Sequence, residues 1–240
     1  MLRSLLLPLF ALWLAPASAQ PIDRQAEREM MVLSVANLSE IASPAEGRRL
    51  DPRVLAAMRE VPRHRFVPEG VRPLAYQNRP LEIGHGQTIS QPYIVALMTH
   101  LLRVEPGQRV LEVGTGSGYQ AAVLAHLGAR VWSIEIVEPL AQEASERLRA
   151  LGYTNVTARA GDGYAGWPEQ EPFDRIIVTA AAPHIPPALI AQLRRDGRMV
   201  IPVTRADGDQ LMLVTKDSLG RVRSRALLAV RFVPLTRTGN

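Results

Sequence analysis

The chain has 240 residues, 47% of them hydrophobic, with 19 prolines and 17 glycines, enough for one substantial core or for one domain with a small annex. Its formal net charge is +5, but Lys216 is the one lysine among 28 basic residues and the arginines are scattered, so the excess reads as a solvated surface and no nucleic-acid partner is expected. Cysteine is absent, which excludes disulfides, thiolate nucleophiles and cysteine metal sites, and the histidines at 64, 85, 100, 126 and 184 form no H-x-x-x-H pair, so no metal is expected.

At the N-terminus Arg3 precedes an apolar run from Leu5 to Leu14, and Ala17-Ser18-Ala19 follows with Gln20 next. A positive end, a short apolar core and an A-x-A site read as a secretory signal peptide over 1–19. The run is too short for a stable membrane anchor. Export is the expectation if the segment is used; a start at Met30 or Met31 is the alternative and leaves the chain cytoplasmic. Residues 22–40 read as a helix with Met31, Val32, Val35, Leu38 and Ile41 on one face. Asp51-Pro52 opens a second helix, since Asp caps and Pro suits the first helical position; it ends near Val61-Pro62. Residues 63–91, rich in Pro, Gly and His, read as a long ordered loop, and Pro92 opens a helix to about Leu102. After Pro106-Gly107, strands alternate with helices. The strands are expected at 108–113, 130–136, 156–160, 174–180, 198–203, 210–215 and 224–232, and the helices at 117–127, 138–151 and 186–195. This is the pattern of an α/β fold, a doubly wound, mostly parallel sheet. The last two strands have no helix between them and form an antiparallel hairpin; the segments before residue 104 form an N-terminal helical annex.

The chemistry is concentrated after the first strand of that sheet. Val110 to Tyr119 reads V-L-E-V-G-T-G-S-G-Y: a strand turns through Gly114, Gly116 and Gly118 into a helix, which brings backbone N–H groups close to a ligand. The spacing is G-x-G-x-G, and Tyr119 stands where a dinucleotide-binding loop carries its third glycine. That departure points away from a nicotinamide cofactor toward another nucleoside. Glu135 closes the second strand, where an acid accepts hydrogen bonds from both ribose hydroxyls, although a surface glutamate would read the same. Asp162, between Gly161 and Gly163, suits an adenine amino group or an ordinary turn. Thr179 and Ala180 leave a buried strand at its carboxyl end, the ligand edge of open α/β sheets, or simply pack there.

Taken in order, these elements resemble the nucleoside-binding half of a class I S-adenosylmethionine methyltransferase, with its Rossmann-like fold. A second resemblance is narrower. Gly84 to Met98 (G-H-G-Q-T-I-S-Q-P-Y-I-V-A-L-M) strongly resembles the signature of protein-L-isoaspartate O-methyltransferases. So do Val61 to Pro68 (V-P-R-H-R-F-V-P), the glycine loop, the strand Phe173 to Ala181, and the ending Val230 to Leu235 (V-R-F-V-P-L). The resemblance covers roughly 30–236. It implies a repair enzyme that transfers a methyl group from S-adenosyl-L-methionine to the free α-carboxylate of L-isoaspartyl residues, and weakly of D-aspartyl residues, in damaged proteins and peptides. No metal and no covalent enzyme intermediate is implied.

By that resemblance Ser90 is the catalytic residue and Gln87, Thr88, Ile89, Ser90, Val233 and Pro234 bind substrate. Glu112, Gly114, Thr115, Gly116, Glu135, Asp162, Gly163 and Thr179 bind the methyl donor. A helix N-cap before Pro92 is the other reading, with Gln91 or Ser90 as the capping residue. A carboxylate with a pKa near ~4 is ionised at neutral pH, so the reaction needs alignment rather than a general base. The expected partition is a region 20–103 carrying helices and the substrate loop, and a donor-binding domain 104–240, joined as one compact unit and acting as a monomer. A small-molecule methyltransferase shares 110–163 but leaves 84–98 unexplained, and a non-enzymatic binding module has no evident need for an intact glycine loop.

Overall fold

The computed structural model of the protein describes residues 24–42 and 49–237; the signal segment expected at 1–19 lies outside them. In α1 (Gln25–Ala42) the stripe Met31, Val32 and Val35 is buried and Leu38 half-buried, but Ile41 is 85% exposed. The apolar stripe therefore stops a turn before the helix does. Asp51 caps α2 (Pro52–Glu60) as expected, its carboxylate accepting from the Arg53 N–H at 2.8 Å, with Pro52 in the first turn.

Segment 63–91 is more than a loop. It contains 3-10 turns at Arg63–Phe66 and Glu69–Leu74, then an antiparallel hairpin of β1 (Leu81–Gly84) and β2 (Gln87–Ile89). The tip, Gly84-His85-Gly86, runs through three positive φ angles, 94°, 52° and 70°, so His85 is a turn residue between two glycines that tolerate this backbone. α3 (Pro92–Leu102) follows as expected and stops where Arg103 turns left-handed.

The main sheet has seven strands: β3 (Arg109–Val113), β4 (Arg130–Glu135), β5 (Val156–Ala160), β6 (Phe173–Val178), β7 (Leu193–Arg205), β8 (Gly208–Lys216) and β9 (Val222–Val230). Their spatial order is β5-β4-β3-β6-β7-β8-β9, parallel through β7 and antiparallel over β7-β8-β9. α4 (Tyr119–His126), α5 (Glu138–Ala150) and α6 (Pro187–Gln192) connect the parallel strands. α4 starts two residues later than expected because Gly118, at φ 89°, is its cap. The helix expected to reach 195 stops at Gln192, because Leu193 turns extended and pairs with Phe173. Lys216 then caps the end of α6, donating to the carbonyls of Ile190 and Leu193 at 3.0 and 2.8 Å.

Alternation along the strands separates two cores. Val110, Val131, Ile177, Val200 and Leu211 pack with residues of α1 to α5; Leu111, Val113, Ile134, Ile176 and Met199 pack with Leu189 of α6, Trp167 and Phe173. The chain winds outward in both directions from β3, which pairs with β4 on one side and β6 on the other. The carboxyl ends of β3 and β6 therefore frame the switch-point crevice where such sheets bind ligands.

Candidate active site

At that crevice the glycine loop is shaped by close approach. Gly114 has φ 94°, and a Cβ there would lie 2.4 Å from Thr179 Oγ1. The Thr179 hydroxyl donates to the Gly114 carbonyl at 2.7 Å, and its N–H to the Val113 carbonyl at 2.9 Å. Thr179 thus ties the end of β6 to the loop. Gly118 would place a Cβ 3.1 Å from Leu148, so it admits α5 beneath the start of α4.

Two glutamates meet this loop in different ways. Glu135, 5% exposed at the end of β4, accepts from the Gly116 N–H at 2.8 Å and the Val137 N–H at 3.0 Å. Both oxygens keep a lone pair for further donors. Glu112 is fully buried within β3; its Oε2 accepts from the Ser133 hydroxyl at 2.5 Å, and Ser133 in turn meets Thr115 Oγ1 at 2.6 Å. Glu112 Oε1 has no hydrogen-bond partner. Burial pushes the Glu112 carboxyl up to about 8, against the opposing pull of the Ser133 hydroxyl, so it is largely neutral at pH 7.

Three adjoining spaces converge here. A narrow cleft of about 50 Å3 is lined by Gln87, Thr88, Gly114, Gly116, Glu135, Thr179, Ala180 and the chain from Val233 to Thr236. That chain lies over the cleft, held by Ala181 N–H to the Val233 carbonyl at 2.8 Å and Leu235 N–H to the Ala181 carbonyl at 2.7 Å. A crevice lies where Thr88, Ile89 and Ser90 face Gly114, Thr115 and Gly116. Beyond it opens a groove of about 730 Å3 bounded by Leu38, Thr88, Ser90, Ile94 and the edge from Leu228 to Val233. This volume falls in the usual range for ligand sites.

The structure thus gathers Gln87, Thr88, Ile89, Ser90, Gly114, Thr115, Gly116, Glu135, Thr179, Val233 and Pro234 around one continuous recess. Ser90 is not the cap of α3; that position belongs to Gln91, which makes no side-chain cap bond. Glu112, Asp162 and Gly163 are set back from the walls. Asp162 accepts from the Tyr164 N–H at 2.8 Å, closing a turn, and Gly163 would place a Cβ 2.3 Å from Val113 Cγ1. The sequence singled out neither Leu235 and Thr236, which help roof the cleft, nor Arg63, whose Nη2 donates to the Ser90 carbonyl at 2.7 Å. Among the described residues no group of His, Cys, Asp and Glu is arranged to hold a metal ion.

The family model for protein-L-isoaspartate(D-aspartate) O-methyltransferase matches residues 39–240. A Polaromonas sp. strain JS666 protein named protein-L-isoaspartate O-methyltransferase 2 is 62% identical over 209 residues, covering 87% of this chain and 97% of that protein. Protein-L-isoaspartate O-methyltransferase 1 of Cupriavidus necator is 57% identical over 211 residues, covering 87% and 82%. A solved Plasmodium falciparum structure, described as a protein-L-isoaspartate O-methyltransferase in complex with S-adenosyl-L-homocysteine, aligns with a TM-score of 0.73 at 26% identity. It covers 88% of this chain and 99% of that one.

Proposed function

The chain belongs to the protein-L-isoaspartate(D-aspartate) O-methyltransferase family, and we propose that its Ser90 loop holds the acceptor carboxylate against the methyl donor. The protein is an S-adenosyl-L-methionine-dependent methyltransferase that acts on isoaspartyl residues of damaged proteins. The donor supplies a methyl group on a sulfonium, which leaves as a neutral thioether when the acceptor oxygen attacks from behind. The methyl ester of an isoaspartyl residue then closes to a succinimide without further help, and the succinimide reopens partly to normal aspartate.

The observation that carries the residue assignment is the crevice in which Thr88, Ile89 and Ser90 face the glycine loop. In this reading Glu135 receives ribose hydroxyls on its free lone pairs while its bonds to Gly116 and Val137 keep it aimed. Thr179 and the glycines leave room for the chain of the donor. Glu112 and Thr115 act from beneath the loop through Ser133. Asp162 and Gly163 shape the turn beside the adenine end. Ser90 and Thr88 orient the carboxylate with hydroxyls, which hold an anion without quenching it as a full ion pair would. No base is needed, because the acceptor is already ionised. Gln87, Ile89, Val233 and Pro234 bound the space the substrate backbone enters, beside the open edge of β9, where main-chain pairing would tolerate many sequence contexts.

Methyl transfer from labelled donor, with residues 20–240 and one peptide made in isoaspartyl and normal aspartyl forms, tests this function. Base-labile label on the isoaspartyl form alone is the expected result; label on neither form, with donor binding intact, would leave a methyltransferase fold with another acceptor. We further propose that 1–19 is a cleaved signal peptide. Its charge, apolar core and A-x-A site support export, whereas the cytosolic source of the donor favours a cytoplasmic protein. Cell fractionation with sequencing of the mature N-terminus decides: a start at Gln20 supports export, and a cytosolic start at Met30 ends it. No helix of the described residues is long and apolar enough to cross a membrane.

A further inference from the structure

Arg63 is the largest fully buried side chain among the described residues, at 0% exposure. Its Nε donates to the Ala75 carbonyl at 2.8 Å and its Nη2 to the Ser90 carbonyl at 2.7 Å. The guanidinium lies 4.8 Å from the centre of the Tyr119 ring, at the first residue of α4. Its Nη1 has no hydrogen-bond partner, and among the described residues no carboxylate makes an ion pair with it. Burial lowers its pKa only to about 10, so it stays a cation at neutral pH. An unpaired cation in a protein interior is expensive, and apolar residues of similar volume usually fill such a place at least as well. Packing alone does not account for an arginine here.

Its bonds point to what it does. A trans peptide directs its C=O and the next N–H to opposite sides. With the Ser90 carbonyl gripped by Arg63, the Gln91 N–H is turned away from the core. That N–H makes no hydrogen bond among the described residues. Ser90 and Gln91 both line the large groove. The first turn of α3 adds to this: Pro92 has no N–H, the Tyr93 N–H is taken by Asn78 Oδ1 at 3.0 Å, and the cap residue Gln91 makes no side-chain cap bond. The first turn of α3 also carries no acidic residue, so its own sequence leaves the positive end of the helix dipole uncompensated beside Ser90.

Resting on the assignment of Ser90 above, we propose that Arg63 is the positioning residue of the acceptor site. It locks the Ser90–Gln91 peptide so that the Ser90 hydroxyl and the Gln91 N–H receive the isoaspartyl carboxylate, and it supplies the positive potential that selects an anionic acceptor. Acting through a peptide group suits the chemistry. The acceptor loses its negative charge as the methyl group arrives, so a cation in direct contact would stabilise the bound carboxylate more than the transition state and slow the reaction. One peptide further away, the charge still favours binding of an anion over a neutral analogue.

The test compares binding of two peptides to the complex of the full chain with S-adenosyl-L-homocysteine: an isoaspartyl peptide, and the same peptide with the α-carboxylate replaced by a carboxamide. The wild type is expected to prefer the carboxylate by at least about tenfold, and Arg63→Met to bring the ratio within about twofold of one. Affinity for S-adenosyl-L-homocysteine should change by less than about threefold, and the loss in methyl transfer should fall on the peptide KM more than on kcat. An unchanged ratio in Arg63→Met, or an equal loss of affinity for both peptides and for S-adenosyl-L-homocysteine, would overturn the proposal. If the methionine variant does not fold, Arg63→Lys decides, because lysine keeps the charge but cannot hold both carbonyls in a fixed fork. A three- to tenfold fall in preference, roughly, supports the proposal and an unchanged one ends it. Indifference of the wild type to the carboxylate would overturn the acceptor reading and this inference together. Ser90→Ala that keeps the preference while Arg63→Met loses it would remove the hydroxyl alone from the site.

Discussion

At the ligand end of the sheet, Glu112 and Glu135 are handled oppositely. Glu135 is met by two backbone N–H groups, whereas Glu112 is sealed in β3 with one oxygen on Ser133 and the other unpartnered. Burial raises the folded pKa of Glu112 from 4.5 to about 8. For an acid with a raised folded pKa, the stabilising contribution is whole below the unfolded value and is lost as pH rises through the folded one. In the ligand-free protein this group should therefore cost up to about 1.4 kcal/mol per pH unit across that window. Glu112→Gln removes the dependence. Thermal unfolding of variant and wild type between pH 5 and 8 should show the Tm difference shifting steadily in favour of glutamine, and parallel curves would show that Glu112 ionises freely. A second expectation concerns Ser90, which faces the groove and the crevice at once. Ser90→Ala should lower kcat/KM for an isoaspartyl peptide about 10- to 100-fold, the worth of one or two well-placed hydrogen bonds, with the donor KM unmoved. A loss confined to donor binding would place Ser90 on the wrong ligand.

Among the elements, the extended chain after β9 closes over the narrow cleft beside the glycine loop, with Val233 to Thr236 as its roof. The Tyr164 hydroxyl donates to the Leu235 carbonyl at 3.1 Å, and Arg237 lies 4.2 Å over the Tyr164 ring. Segments that gate a ligand are drawn from the less stable parts of a fold. Tyr164→Phe removes one net hydrogen bond from the roof, about 1 kcal/mol, so dissociation of S-adenosyl-L-homocysteine should quicken about fivefold in stopped flow; an unchanged rate would mean that the roof does not move during release. This strap was only partly legible in the sequence, where Val233 and Pro234 stood out and Leu235 did not, because its position depends on Ala181, far away in the chain. The parallel strands were legible because burial on both faces makes them continuous apolar runs, as in Ile176-Ile177-Val178. The β1–β2 hairpin was not: strands of four and three residues around Gly84-His85-Gly86 show too little alternation to separate from a loop. Arg63 was visible within V-P-R-H-R-F-V-P, but its partner, the Ser90 carbonyl, is a backbone atom and carries no sequence signal at all.

The whole molecule poses the question of where its parts divide. The sequence suggests a helical region 20–103 and a donor-binding domain 104–240 joined as one compact unit; in the structure one buried cluster runs from Met31 and Val54 through Leu97 to Val110, Leu124 and Leu213. Side chains also cross the boundary: Arg198 Nη1 donates to the Leu101 carbonyl at 3.1 Å. The crevice proposed for the reaction lies between Ser90 from one side and the glycine loop from the other. A second cluster lies wholly within 104–240, but the buried apolar residues of the helical region belong to the shared one, so the two should melt together and respond together to a ligand that touches mainly one of them. For residues 20–240, tryptophan fluorescence reports Trp132 and Trp167, both within 104–240, whereas far-ultraviolet circular dichroism also reports α1, α2 and α3. S-adenosyl-L-homocysteine at 100 times its Kd should stabilise the folded state by about 2.7 kcal/mol, about 5–10 °C in Tm for a chain of this size. Both probes should give one midpoint and move by the same amount. A second transition, or a shift seen by fluorescence and not by dichroism, would mean that the helical region folds on its own and that the acceptor loop reaches the donor only by docking.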